Sequence, residues 1–335
     1  MLSKLNRRQF VGQVARAALM APLAAQSSSE TSLPAAPEGQ KAFRGIFAIL
    51  QTPFTSTGQM DEEDLAREAN FCVRAGAHGL VWPQLAAEFY LLSDEERIHG
   101  AEILIRTVAG RRPVVIGVQA PYKDIAVKFA RHAESKGADA VIAMPPFVGH
   151  AQLDDAVEYY TSLAKAIRLP IFIQNSGSPW GPALSPEFVL QQARQNAQLA
   201  YIKEEVGPVP HRLEMYAKSE VMKGIFSGSA GRNLLNELPR GSSGTMPACE
   251  FIDVNAQIYD LTTAGNTKEA SQLFKTLLPM INLEETYGMV FAKSVLVRRG
   301  IFKLAKMRDE SVKLDRGDER EIDLWWEQLQ PHLKG

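Results

Sequence analysis

The chain has 335 residues, 45% of them hydrophobic, and its 37 basic and 38 acidic side chains leave a formal charge of -1. Such a composition describes a globular protein with enough apolar residues for a sizeable core. The near balance of charge argues against a nucleic-acid surface, and no Lys/Arg-rich run interleaved with aromatics occurs.

The opening stretch MLSKLNRRQFVGQVARAALMAPLAAQ differs from the rest, with a basic start, a mildly apolar middle and a small-residue end. That is the layout of a secretory signal. Arg7-Arg8, with Phe10 two positions on, resembles a twin-arginine export signal, and Ala24-Ala25 supplies a cleavage site. Gln13 and Arg16 interrupt the apolar stretch, so stable membrane insertion is not expected. Residues 1–25 are therefore expected to be a signal peptide and 26–42, rich in Ser, Pro and Ala, a flexible linker. A basic tail or a weak membrane-surface helix is the competing reading. Export would place the mature protein in a periplasm or outside the cell.

From Phe43 onward, strand and helix alternate. GIFAIL (45–50) is a short apolar strand, and DEEDLAREANFCVRAG (61–76) has helical spacing, an acidic cap and a stop at Gly76. GLVWPQ (79–84) is the second strand. The next helix opens with the capping box Ser93/Glu96. PVVIGVQ (113–119), ADAVIAM (138–144), PIFIQN (170–175), LAYIKE (199–204), GIFSG (224–228) and SGTMPA (243–248) complete the strands, with helical segments between them. Their continuous hydrophobicity fits parallel strands covered on both faces. Eight successive βα units predict a (β/α)8 barrel over 43–265. A doubly wound sheet is the alternative, but no GxGxxG follows the first strand. Beyond the barrel, 266–335 carries three further helical stretches: TKEASQLFKTLLPMI, EETYGMVFAKSVLVRRG and EREIDLWWEQLQPHLK. Cys72 and Cys249 are the only cysteines and read as buried free thiols. No CxxC or HxxxH spacing suggests a metal site.

Barrel active sites form at the C-terminal ends of the strands. Among the residues closing these strands, Lys203 is the only lysine. A lysine at a strand end is ordinarily a solvated side chain. At a barrel mouth, among apolar and amide neighbours, it becomes a candidate nucleophile toward a carbonyl. Alternation along the strand points Lys203 and Glu205 to one face and Glu204 to the other. Glu205 is then a candidate base, with a solvated acid or an ion-pair partner as the plainer reading. Gln51, Gln84, Gln119 and Gln174 end strands one, two, three and five. Facing inward, they would offer neutral amides to a keto or polyhydroxylated ligand, with Trp82 or Trp180 to stack on a sugar face. Gly228 would allow close backbone approach to a ligand, and Met246 would lie over the pocket. Tyr90 and His150 are weaker candidates. Arg232 and Arg240 are expected on helix surfaces.

Several stretches carry a family resemblance: TPF (52–54), Asp61 with Leu65, GLVWPQLAAEFYLLSDEER, GADAVIAMPPF, PIFIQN and YIKE. From Phe43 to the C-terminus the chain resembles the dihydrodipicolinate synthase/N-acetylneuraminate lyase superfamily. The resemblance implies a barrel with three C-terminal helices, a homo-oligomer (tetramer or dimer), and Lys203 as a Schiff-base lysine. Family members place a Thr-Thr pair where this chain has Leu85-Ala86, and a catalytic tyrosine where it has Gln174. The tyrosine contributed across the dimer falls near Phe147, and the synthase's carboxylate-binding arginine falls near Pro179. Dihydrodipicolinate synthase activity itself is therefore not expected. The Lys-x-Glu arrangement is similar to that of some 2-keto-3-deoxy sugar acid dehydratases.

The expected function is an aldolase or dehydratase acting on a 2-oxo acid through a Schiff base on Lys203, with Glu205 as base. Thr52, Gln174, Gly228 and Met246 would bind the substrate, and backbone N–H groups of Leu85, Ala86 and Ala87 its carboxylate. No metal or organic cofactor is needed, because the lysine supplies the covalent chemistry. The alternative is an exported barrel that binds a keto or sugar acid without turning it over.

Overall fold

The computed structural model describes residues 43–149 and 151–334; the signal and linker readings and His150 lie outside the described residues. Eight parallel strands close into a barrel in chain order: β1 (Gly45–Ile49), β2 (Gly79–Trp82), β3 (Val114–Gly117), β4 (Ala140–Ala143), β5 (Ile171–Asn175), β6 (Tyr201–Glu204), β7 (Gly224–Ser227) and β8 (Gly244–Thr245). Closure comes from β8 pairing with β1, Gly244 opposite Gly45 and Thr245 opposite Ile46. Gly244 has φ +152, and a Cβ there would lie 1.9 Å from the Gly45 carbonyl oxygen, so the seam requires glycine. Each strand is one to four residues shorter than its predicted span.

Helices α1 (Glu62–Arg74), α2 (Asp94–Val108), α3 (Lys123–Lys136), α4 (Leu153–Ala166), α5 (Pro186–Gln195), α6 (Val209–Ala217), α7 (Leu234–Glu237) and α8 (Ile252–Thr263) follow their strands. The Asp61 side chain caps α1. The Ser93/Glu96 capping box opens α2, with both reciprocal bonds formed. Among the described residues, no helix is long and apolar enough to cross a membrane.

The alternation of strand side chains divides the core in two. Ile46, Ala48, Leu80, Ile116 and Val141 face the helices. Phe47, Val81, Val115, Phe172, Tyr201 and Phe226 fill the barrel. Phe43, Phe47, Phe172, Tyr201 and Phe226 form a connected set of ring contacts, centroids 5.1–6.2 Å apart, so the interior below the catalytic end is packed solid.

Three more helices follow: α9 (Thr267–Tyr287), α10 (Met289–Arg298) and α11 (Arg316–Leu329). Here the sequence reading is corrected. It separates the first two helices after Ile281, but α9 runs on through Pro279 to Tyr287, and the break comes at Gly288. Gly288 adopts φ +63, ψ -137, a conformation essentially confined to glycine.

Candidate active site

Lys203 and Glu205 lie on one face of β6 and its extension, with Lys203 Nζ 3.0 Å from Glu205 Oε1. The Lys203 side chain is only 4% exposed and that of Glu205 19%. The other carboxylate oxygen, Oε2, accepts from Gln174 Nε2 at 2.8 Å and from the Ser176 hydroxyl at 2.6 Å. Three donors thus hold one carboxylate. Burial pushes the Glu205 pKa up, but the Lys203 ammonium, the Ser176 hydroxyl and the Gln174 amide together outweigh it and keep the carboxyl below its ordinary value.

Gly228, at the end of β7, closes this pocket around the acid. A Cβ on Gly228 would sit 2.3 Å from Glu205 Oε1. The close approach expected of this glycine is therefore to Glu205. Met246 is buried among the interior side chains.

Glu204 points outward, as alternation requires, and makes a structural cluster with Arg212 (3.0 Å), Tyr216 Oη (2.7 Å) and Asn175 Nδ2 (2.9 Å). Lys203 is opposite Gln174 in the β5–β6 register, which is why a glutamine on one strand reaches an acid on the next.

All four strand-end glutamines are buried. Gln84 Nε2 donates to Gln119 Oε1 (3.2 Å), and Gln119 Nε2 donates to the Pro83 carbonyl (2.9 Å). Among the described residues, Gln84 Oε1, Gln174 Oε1 and both amide atoms of Gln51 have no hydrogen-bond partner. Buried polar atoms are ordinarily paired, so these are free to meet a ligand.

Thr52 has a different environment from the one a ligand-binding hydroxyl needs. Its Oγ1 donates to the Ala87 carbonyl (2.7 Å) and accepts from Trp82 Nε1 (3.1 Å). Both Thr52 and Trp82 therefore act behind the strands, fixing the turn that follows β2, and Trp82 is not available to stack on a ligand. That turn is a single 3-10 turn over Leu85–Ala87. Ala87 N–H is taken by the Gln84 carbonyl (2.9 Å), while Leu85 and Ala86, at the turn's start, have no carbonyl one turn back for their N–H groups. Ala86 packs against the interior cluster that contains Met246.

Phe89 and Tyr90 after β2, Phe147 after β4 and Trp180 after β5 form an aromatic cluster at this end, centroids 5.3–5.9 Å apart. Arg232 and Arg240 bind Glu285 and Glu214 at the surface. Cys72 and Cys249 are buried free thiols.

Ser176 was not singled out by the sequence reading. The signal was present: it follows Gln174 by two positions and so shares its face. The second omission is the support under the mouth. Glu88, left-handed at φ 52, directly follows the Leu85–Ala87 turn. Its carboxylate accepts from Lys293 Nζ at 2.6 Å and from the Arg308 and Asp309 backbone N–H groups at 2.9 Å each. No sequence spacing links positions 205 residues apart.

Residues 42–322 match the model of the Dihydrodipicolinate synthetase family. The chain belongs to that family. It is 32% identical over 247 residues to a probable 2-dehydro-3-deoxy-D-pentonate aldolase of Escherichia coli (strain K12), covering 72% of this chain and 81% of that protein. It is 29% identical over 265 residues to the L-2-keto-3-deoxyarabonate dehydratase of Azospirillum brasilense, covering 77% and 84%. The crystal structure of dihydrodipicolinate synthase from Rhodopseudomonas palustris superposes with a TM-score of 0.80 at 25% identity, over 87% of this chain and 99% of that one. The expected fold is thus that of the family, and the relatives named are enzymes.

Proposed function

We propose that this family member is a lyase that acts on a 2-oxo acid through a Schiff base on Lys203, with Glu205 moving the protons. The observation that carries the reading is the Lys203 Nζ–Glu205 Oε1 pair, 3.0 Å apart and facing the barrel interior. The names of the curated relatives, a 3-deoxy keto acid aldolase and a dehydratase, support the substrate class.

Glu205 accepts a proton from the Lys203 ammonium, and the free amine adds to the C2 carbonyl. The protonated acid then returns its proton to the carbinolamine hydroxyl, which leaves as water and gives the iminium. The iminium is an electron sink. Glu205 next removes a C3 proton to form the enamine and passes that proton to a C4 hydroxyl, which departs as water. Hydrolysis frees the dehydrated 2-oxo acid and Lys203. For cleavage, Glu205 instead takes the C4 hydroxyl proton, C3–C4 breaks, an aldehyde leaves, and the remaining enamine recovers that proton at C3 before hydrolysis frees pyruvate and Lys203. One carboxylate beside C3 can serve the proton transfers of either route.

The substrate carboxylate rests on the N–H groups of Leu85 and Ala86. The unpaired amide atoms of Gln51, Gln84 and Gln174 meet hydroxyls or the keto acid's uncharged tail. Among the described residues, Lys203 is the one cation among the strand-end side chains facing this space, so a second carboxylate has no partner. Gln174 cannot serve as acid or base. Both points disfavour dihydrodipicolinate synthase chemistry.

The test is borohydride trapping with pyruvate and a panel of 2-keto-3-deoxy acids, read by intact mass and peptide mapping. An adduct on Lys203 is expected, and Glu205→Gln, which lacks the group that frees the amine and expels the carbinolamine hydroxyl, should trap more slowly and lose about a thousandfold in turnover. No adduct in folded protein with any of these acids would sink the Schiff base and leave a binding protein. The same mass spectrum, on protein from a periplasmic fraction, tests the proposed export: removal of residues 1–25 is expected, and an uncleaved cytoplasmic chain would refute it. Light scattering on that sample tests the expected homo-oligomer against a monomer.

A further inference from the structure

A second concavity lies at the opposite end of the barrel, where the strands begin. It encloses about 360 Å³ and is lined by Arg44 before β1, His78 before β2, Arg111 and Arg112 before β3, and Tyr259 on α8. That volume lies within the range of small-ligand sites.

Its lining is predominantly basic. Three arginines come from two separate loops; the acids beside them are Asp260, whose carboxylate lies 3.2 Å from His78 Nε2, and Asp139, whose Oδ2 accepts from Val114 N–H at 2.8 Å next to Pro113. Among the described residues, neither Arg44 nor Arg112 is ion-paired with a carboxylate. Structural arginines of this protein look different: Arg299 is held by Asp253 and Arg212 by Glu204. Like charges gathered in a concave site repel one another and concentrate positive potential, a cost that an anion would relieve.

The lining is also held in place. Arg111 Nε donates to the Val108 carbonyl (3.0 Å), and its Nη2 to Asn70 Oδ1 (2.6 Å) and the Thr107 carbonyl (2.7 Å). His78 Nδ1 accepts from Ile46 N–H at 3.1 Å, which leaves Nε2 to carry the proton toward Asp260. The imidazole lies against Gly45, where a Cβ would come within 2.3 Å of the ring. Tyr259 meets the same imidazole edge-on, centroids 5.1 Å apart. His78 and Arg111 are therefore fixed in the lining.

We infer that this pocket binds a small anion of at least two negative charges, carried by phosphate or clustered carboxylate groups, at the end of the barrel away from Lys203. Guanidinium forks match both groups in bidentate geometry. The inference does not depend on the proposed Schiff-base chemistry.

Isothermal titration of the whole protein with pyrophosphate and, separately, citrate at physiological ionic strength tests it. Saturable binding by at least one probe, tighter than about 1 mM, is expected. The double variant Arg44→Ala/Arg112→Ala should weaken it about tenfold or more without changing the melting temperature appreciably. Lys203→Ala should leave it intact. The better probe distinguishes a phosphate from a polycarboxylate ligand. Weak, unsaturable heats with both probes, equal affinity in the double variant, or loss of binding in Lys203→Ala would each overturn the inference.

Discussion

At the scale of the residue, the site rests on one carboxylate whose position is over-determined. Lys203, Gln174 and Ser176 hold Glu205, and the absence of a Cβ on Gly228 makes room for it. A methyl group at Gly228 would collide with the Glu205 carboxylate, so alanine there carries a steric penalty. Gly228→Ala should displace Glu205 and lower kcat about a hundredfold while borohydride still traps Lys203. Unchanged kcat would mean that the acid's position is not critical. The pH dependence follows from the same contacts. Because the Glu205 carboxyl is held below its ordinary value, it stays ionised until the pH falls past that lower point. The acid limb of kcat/KM should therefore lie below the ordinary glutamate pKa, and Ser176→Ala should move it upward. An acid limb unmoved by Ser176→Ala would argue that Glu205 does not set it.

At the scale of the element, α1 and the segment after β8 meet at a buried acid. Glu68 Oε1 accepts from Gln51 N–H (2.8 Å) and from Cys249 Sγ (2.9 Å). Burial pushes the Glu68 pKa up to about 8, more than these donors and Lys293 bring it down. The native state therefore holds this proton more tightly than the unfolded chain does. Its contribution to stability is full below the ordinary glutamate pKa and is lost as the pH rises through about 8. The wild type should lose several degrees of Tm between about pH 6 and about pH 9, and Glu68→Gln, which stays neutral, should lose clearly less. Parallel Tm profiles for the two proteins would refute the assignment.

At the scale of the whole molecule, the C-terminal region reaches back to the barrel mouth. Lys293 on α10 and Glu88 beside the Leu85–Ala87 turn are both fully buried, and Glu88 also gathers the backbone at Arg308 and Asp309. The Arg308 guanidinium in turn binds Glu96 in the capping box of α2. Removing one partner of a buried pair leaves the other charge stranded. Lys293→Met should cost about 3–5 kcal/mol by chemical denaturation. Adding Glu88→Gln should cost less than the sum of the two single changes. Additive costs would show that the two groups do not act as a pair.

The periodicity and length of the apolar runs determined the barrel, since strands covered on both faces must be apolar throughout and eight βα units leave few other closures. Alternation along a strand was enough to separate Glu205 from Glu204, and a terminal position was enough to single out Lys203, because both are properties of a few neighbouring residues. Tertiary structure alone decided the rest. Thr52 turned to Trp82 and Ala87 because three segments distant in sequence meet there. Gly228 faced Glu205 because β7 lies beside β6. The break at Gly288, the Glu88–Lys293 pair and the basic pocket at the far end of the barrel likewise depend on which surfaces closure brings together. Sequence periodicity records which side of an element is buried, but not which partner it is buried against.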